Sequence, residues 1–190
     1  MAFLRFTTPF DWTSAVLADF DTFLQDHAAA EKKASGMAVS MLSHYPDRTE
    51  LVTAMTDLAI EEMQHFREVV KLIYQRGGLL GDDQKDAYIN QFRKVFRRGR
   101  DEYFLDRLLV AGIIEARGCE RFALVGEALP EGDLKSFYQA IARSEARHHE
   151  LFISLAEQYF SAPLVNERLD QLLDQEAAIV ADLPWRAALH

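Results

Sequence analysis

The sequence predicts an all-α protein: a four-helix bundle of two helix pairs joined by a crossover, with additional flanking helices. Three observations lead there. Glycine and proline are sparse, 9 and 5 of 190 residues, and neither Asn-Gly turns nor alternating hairpin patterns occur. Long stretches place apolar residues at i, i+3/i+4 spacing, the period of a helix with one buried face. A set of charged residues on those apolar stripes also recurs, in the same order, in the second half of the chain.

Each element has its own signals. Residues 12–23 read as a lead-in helix that runs toward the next. From about 26 to 45 a helix places Ala28, Glu31, Ala34, Ala38 and Leu42 on one stripe. It stops before Pro46, because the residue preceding proline is pushed out of the α region. Asp47 or Thr49 can cap the following helix, which ends near residue 76 at Gly77-Gly78. Its stripe is Leu51, Met55, Leu58, Glu62, His65, Phe66, Val69 and Leu72. A glycine-rich polar connection leads to a shorter helix at about 84–98. Gly99 and Asp101 mark the break before a long helix at about 102–129, with Leu108, Ala111, Gly112, Glu115, Cys119 and Phe122 on its stripe. Pro130 and Gly132 separate it from a helix at 134–159, whose stripe is Leu134, Tyr138, Ile141, Glu145, His148, Phe152 and Leu155. After Pro163 a last amphipathic helix reaches about 182, where Pro184 stops it.

Composition narrows the class. A chain of 190 residues can bury one good-sized core, so a single domain over 1–190 is expected, with the bundle at about 24–160 and the last helix at 163–182. Its 49% hydrophobic and 27% charged residues are ordinary for a soluble globular protein. Cys119 is the one cysteine, which excludes an internal disulfide framework and any Cys-x-x-Cys zinc or rubredoxin-type module. The first residues lack a basic region followed by a sustained apolar run, and the apolar run 108–114 is too short to span a bilayer. These features together lead to the expectation of a cytoplasmic protein without a membrane partner. A net charge of −9 argues against indiscriminate nucleic-acid binding, though not against a local basic patch.

The recurring residues carry the chemistry. Glu31 recurs as Glu115, and Glu62 and His65 recur as Glu145 and His148, at almost identical offsets. Each half is thus a helix with one buried Glu followed by a helix with Glu-x-x-His. Positions i and i+3 share one face of a helix. A single Glu-x-x-His is commonplace and consistent with surface charge or a buried ion pair. Six residues at matched offsets, all on apolar stripes, are not. Four carboxylates confined in an apolar core would repel one another and carry a heavy desolvation cost. Two divalent cations remove both problems, and this donor set is that of the ferritin-like dimetal carboxylate bundles. Carboxylates and imidazoles favour iron or manganese over thiolate-seeking metals.

Several other residues read as ordinary. Glu61, Arg147 and His149 fall off the stripes and are expected in solvent. Cys119, Phe66, Phe122, Tyr138 and Phe152 are read as packing, with a substrate pocket as the alternative for the aromatic rings. The scaffold itself supports oxygenation, iron oxidation and storage, peroxide reduction and manganese catalase chemistry alike.

Five segments go further. Asp26-His27-x-x-x-Glu31-Lys32-Lys33-Ala34, Glu61-Glu62-x-x-His65-Phe66, Asp106-Arg107-Leu108-Leu109-Val110, Ile114-Glu115-Ala116-Arg117-x-x-Glu120-Arg121-Phe122 and Ser144-Glu145-Ala146-Arg147-His148 together resemble the MiaE family. These are the tRNA 2-methylthio-N6-isopentenyladenosine hydroxylases. The resemblance covers roughly residues 20–180 and is most specific in the fourth and fifth segments. It implies a non-haem di-iron monooxygenase that uses O2 and hydroxylates the isopentenyl group of the modified adenosine at position 37, beside the anticodon. On that resemblance Glu31, Glu62, His65, Glu115, Glu145 and His148 bind two iron ions, and no catalytic residue is expected beyond the metal centre. One oxygen atom enters the substrate and the other leaves as water. The two electrons come from outside, because no flavin or iron–sulfur motif is present, and a ferredoxin-type donor is the expected partner. Another ferritin-like activity, ferroxidase or peroxidase, is the alternative.

One feature independent of the resemblance suits a nucleic-acid substrate. Arg93, Lys94, Arg97, Arg98 and Arg100 are clustered in an otherwise acidic chain. They read either as cations at a helix C-terminus, where the dipole favours them, or as phosphate contacts for the anticodon arm of tRNA.

Overall fold

A computed structural model describes residues 3–190; Met1 and Ala2, the first two residues of the expected 1–190 domain, lie outside the described residues. Among the described residues every regular element is helical. They are α1 (Trp12–Ala18), α2 (Phe20–His44), α3 (Thr49–Gln75), α4 (Ala87–Phe92) with a 3-10 turn (Arg93–Val95), α5 (Arg100–Ala128), α6 (Asp133–Tyr159) and α7 (Ala162–Asp182). No helix among them is long and apolar enough to cross a membrane. The chain divides into two compact units. One contains Ser14–Gln84 and Arg186–Leu189; the other contains the segment up to Thr13, Lys85–Trp185 and His190.

In the first unit α2 and α3 pack as a helix pair. The break before α2 falls at Asp19 rather than between residues 23 and 26. The Asp19 carboxylate accepts a hydrogen bond from the Thr22 amide at 3.2 Å, and that cap sets the start. The start of α3 differs from expectation too. Neither Asp47 nor Thr49 caps it: the cap position is Arg48, without a side-chain bond, and the Thr49 hydroxyl donates to Glu50. The far end is as anticipated. Gly77 has φ of 80°, a left-handed conformation that glycine adopts without strain, and the Gly77 and Gly78 amides turn back onto Tyr74 and Ile73. Phe23, Leu24, Ala28, Ala38, Met41, Leu51, Met55, Leu58, Val69 and Ile73 are buried. The connection after Gly78 is strapped along α2: the Gln25 amide holds Leu79 O and Gly81 N, both at 2.9 Å, and Lys32 reaches Asp83 at 2.8 Å.

In the second unit α5 and α6 form the other long pair. Gly112 lets them approach, since a Cβ there would stand 3.2 Å from the Phe152 Cβ. The helix expected at 84–98 is shorter. It ends as the 3-10 turn, and Phe96 is extended, because the Arg97 amide and guanidinium are drawn onto Asp106 at 2.8 and 2.7 Å. Asp106 is fully buried and also takes Arg168, 2.8 Å away. Burial opposes its ionisation, but Arg168 and Arg97 outweigh that and hold its pKa below the usual carboxylate value. The stability from this charge is therefore present above ordinary carboxylate pKa values and is lost as pH falls through the lowered one. A second polar knot ties the N-terminal segment to α5 and α7. Arg117, fully buried, donates to Glu176 at 2.8 and 3.0 Å, to Phe6 O at 2.8 Å and to Glu120. Glu120 in turn accepts from the Thr8 amide and hydroxyl.

Candidate metal centre

Each long helix pair brings together two of the carboxylates and one of the imidazoles expected from the sequence. In the α2–α3 pair Glu31 and Glu62 are 4% and 1% exposed, and His65 is half-buried one turn beyond Glu62. One ligand atom from each of the three lies within 4.8 Å of the others. His65 Nδ1 stands 3.6 Å from Glu31 Oε2 and 3.5 Å from Glu62 Oε2. These separations exceed good hydrogen bonds, yet they leave the three donors facing one small volume. Burial opposes a charge on His65, but Glu31 and Glu62 more than offset it and raise its pKa to about 10. Burial likewise opposes the charge of Glu31, and His27 and His65 overcome it, holding that carboxyl far below its ordinary value. In the metal-free protein, then, the proton on His65 supplies the positive charge that these carboxylates require.

The α5–α6 pair repeats the arrangement with Glu115 on α5 and Glu145 and His148 on α6, all buried. Again one ligand atom from each lies within 4.8 Å of the other two, and His148 Nδ1 is 3.8 Å from Glu145 Oε1. A Cβ at Gly118 would stand 3.4 Å from Glu145 Oε2, an ordinary contact, so α5 runs close beside this carboxylate. Buried oxygen and imidazole donors, without thiolate, suit iron or manganese. The six residues fit a pair of such ions by the chemistry of their donor set.

His27 has no role assigned from the sequence. It is fully buried, and its Nε2 lies 2.6 Å from Glu31 Oε1. The i, i+4 spacing inside the His27-x-x-x-Glu31 segment is the signal that could have found it. The repeat does not, since the matching position is Ala111. A group that orients a ligand carboxylate commonly contributes about 10- to 100-fold in metal affinity. His27→Ala is accordingly expected to weaken iron binding by about 10- to 100-fold. Chelator competition would read this, and an unchanged affinity would remove His27 from the site.

The remaining expectations fare differently. Glu61 is half-buried and 3.9 Å from His65 Nε2, so it is not simply in solvent. His149 is half-buried too: its Nδ1 is 2.8 Å from Gly112 O, and its ring lies against Phe3. Arg147 is exposed, as expected. Phe122, Tyr138 and Phe152 are core, whereas Phe66 lines an open groove. Burial pushes the Cys119 thiol pKa up, which suits packing rather than nucleophilic chemistry. Of the basic run, Arg93, Lys94, Arg98 and Arg100 are exposed, while Arg97 is held by Asp106.

Fold and donors define the class: an all-helical, ferritin-like bundle protein built from two helix pairs, each with a buried carboxylate–histidine set able to hold iron. The chain belongs to the tRNA-(MS2IO6A)-hydroxylase (MiaE) family, whose profile it matches over residues 1–190. It is 38% identical over 158 residues to the tRNA 2-(methylsulfanyl)-N(6)-isopentenyladenosine(37) hydroxylase of Pseudomonas putida, covering 83% of this chain and 77% of that one. To the Salmonella typhimurium protein of the same name it is 32% identical over 155 residues; the match spans 82% of this chain but only 56% of that relative's length. Among solved structures it resembles "Protein 43 with aldehyde deformylating oxygenase activity" from Synechococcus. The TM-score is 0.94 at 35% identity, over 100% of this chain and 96% of the other.

Proposed function

We propose that the two donor sets close on one another as one di-iron centre, within a single domain. On this reading the protein is an O2-dependent monooxygenase that hydroxylates the isopentenyl group of 2-methylthio-N6-isopentenyladenosine at position 37 of tRNA. The observation that carries this reading is the buried Glu and Glu-x-x-His set repeated in both helix pairs of a MiaE-family chain. Likeness to the Synechococcus structure over the whole chain supports the pairing of the halves.

Two ferrous ions in such a centre supply the reducing power that activates dioxygen toward an unactivated C–H bond. The chain's residues do the rest. Glu31, Glu62, Glu115 and Glu145 provide the negative charge that holds two cations. His65 gives up its proton to become a neutral donor, and His148 supplies the matching imidazole. The burial of the donors themselves, with Glu31, Glu62, Glu115, Glu145 and His148 each at most 5% exposed, limits access of water to the reacting groups. The balance is one substrate C–H, one O2, two electrons and two protons in, and one C–OH and one water out. The electrons come from an external donor, for which a ferredoxin-type protein is proposed, and the setting is the cytoplasm, where tRNA is found.

A single turnover tests this. Protein loaded with ferrous iron is given oxygen and tRNA carrying the isopentenylated adenosine, and the digested nucleosides are weighed. One added oxygen is expected. Unchanged nucleoside with iron oxidised normally would discard the tRNA substrate and keep the iron centre. The Synechococcus likeness names the second reading, and consumption of an aldehyde with loss of its formyl carbon in the same assay would establish it.

Anticodon-arm contact is assigned to the exposed Arg93, Lys94, Arg98 and Arg100. Arg97 is a poor probe of it, because reversing its charge would also uncover Asp106. Charge reversal at Lys94 and Arg98 is expected to weaken tRNA binding and lower the salt-dependence slope by about 1 per residue. An unchanged slope would sink the assignment.

A further inference from the structure

Tyr103, in the first turn of α5, is 39% exposed. A single exposed aromatic is ordinary; the neighbours of this one set it apart. Arg100, Tyr103 and Arg107 stand at i, i+3 and i+7, so they share one face of the helix. The Arg107 guanidinium lies over the Tyr103 ring, 6.0 Å from its centroid. Phe96 meets the same ring edge to face, with centroids 5.6 Å apart and planes at 78°. The Asp106 ion cluster produces that second contact. Arg168 holds Val95 O, Asp106 takes the Arg97 amide and guanidinium, and the extended Phe96 between them is turned onto Tyr103. An exposed ring is thus braced from within by a buried cluster.

The charge beside it is one-sided. Arg93, Lys94, Arg98 and Arg100 are exposed and make no ion pair among the described residues, in a chain of net charge −9. By contrast, exposed Lys71 pairs with Glu68 and exposed Arg76 with Asp21. Asp101 and Glu102 interrupt the basic run, but residues one or two apart on a helix do not face each other, so both lie off the face of Arg100, Tyr103 and Arg107. An exposed ring among cations is the makeup of a site for unpaired nucleic acid, where bases stack on the ring and phosphates meet the cations. A protein partner fits less well. A stable interface uses roughly 800 Å² per partner around an apolar centre, and between residues 93 and 107 Tyr103 alone of the large apolar side chains is exposed.

We propose that Tyr103, backed by Arg107 and Phe96, is a stacking platform for an unpaired base of the anticodon loop, with phosphates on Arg98 and Arg100. This rests on the hydroxylase reading and its phosphate contacts, and it adds the element that distinguishes a loop from a duplex. Tyr103 lies twelve residues before Glu115 on α5, roughly 18 Å along the helix axis. One nucleoside does not span that distance, so the base on Tyr103 is a different one in the loop from the base that is hydroxylated.

The test is binding of the full-length chain to two unmodified RNAs: a hairpin made of an anticodon stem and loop, and a fully paired duplex with as many nucleotides. Tyr103→Ala should weaken hairpin binding by about tenfold or more and leave duplex binding within about twofold. Its salt slope should match the wild type, because no charge is removed. Tyr103→Phe should bind as the wild type does, since the ring stacks without its hydroxyl. Arg100→Ala should instead weaken both RNAs and lower the slope by about 1. With 2-aminopurine in the loop, the wild type and Tyr103→Phe should quench its fluorescence and Tyr103→Ala should not. Tyr103 is exposed, so the variants should fold, which helix content and melting will verify. Hairpin affinity unchanged in Tyr103→Ala overturns the proposal, as does an equal loss on hairpin and duplex, or a loss in Tyr103→Phe as large as in Tyr103→Ala. So does unchanged RNA affinity with turnover slowed only when a protein, rather than a chemical reductant, delivers the electrons, which would assign this face to the electron donor. The underlying reading fails separately. If wild type and Tyr103→Ala hydroxylate tRNA with the same KM, the platform falls and the hydroxylase stands. If wild type hydroxylates nothing yet binds the hairpin in a Tyr103-dependent way, the hydroxylase falls and the platform stands.

Discussion

Glu115→Gln is expected to lose turnover by more than about a thousandfold, equivalent to about 4 kcal/mol of transition-state stabilisation, and to hold fewer than two irons per chain. The sign of its effect on stability should depend on metal. Glu115 and Glu145 are buried with ligand oxygens within 4.8 Å of each other. At that distance two ionised carboxylates repel by on the order of 3 kcal/mol at an effective dielectric of 20. Removing one charge should therefore raise the melting temperature of the metal-free protein by several degrees. The same change should erase much of the stabilisation that iron gives the wild type, because a cation then has one anionic donor fewer. Iron stoichiometry, turnover and melting curves with and without metal read all three effects. Two irons and near-normal turnover in the variant would refute the ligand assignment.

Arg117→Ala should produce the largest loss of stability. Its guanidinium is fully buried and joins Glu176, Glu120 and Phe6 O. Truncation leaves Glu176, itself fully buried, facing Tyr88 without the guanidinium that hydrogen-bonds it, and with Arg121 as a cation that acts on it through charge. Breaking such a pair costs about 3–5 kcal/mol, or about 6–20 °C in melting temperature at this chain length. Replacing both partners, as in Arg117→Met with Glu176→Leu, should recover part of that, since Glu176 is then not left charged without Arg117, and Arg121 keeps the charge of Glu120 nearby. A drop of only a degree or two in Arg117→Ala would show that the knot contributes little. Both variants should still take up iron while folded, because Arg117 touches none of the six donors.

Helical class, the long helices that pair and the six candidate donors were legible in the sequence alone. Their signals are local: an apolar stripe is set by the 3.6-residue turn, and Glu-x-x-His is one turn of a helix. A duplication then sets those local signals side by side for comparison. Packing alone could show what depends on partners remote in sequence. Nothing near Arg97 reveals that Asp106, in the next helix, will claim it and shorten the helix expected at 84–98. Arg117 and Glu176 stand on different helices, α5 and α7, and the cation that Glu31 faces depends on how α2 lies against α3. The exposure of Val39, Ile60 and Met63 was equally unreadable, because apolar spacing says which residues share a helix face but not whether another helix covers it. Periodicity is a property of one helix; burial and charge pairing are properties of two.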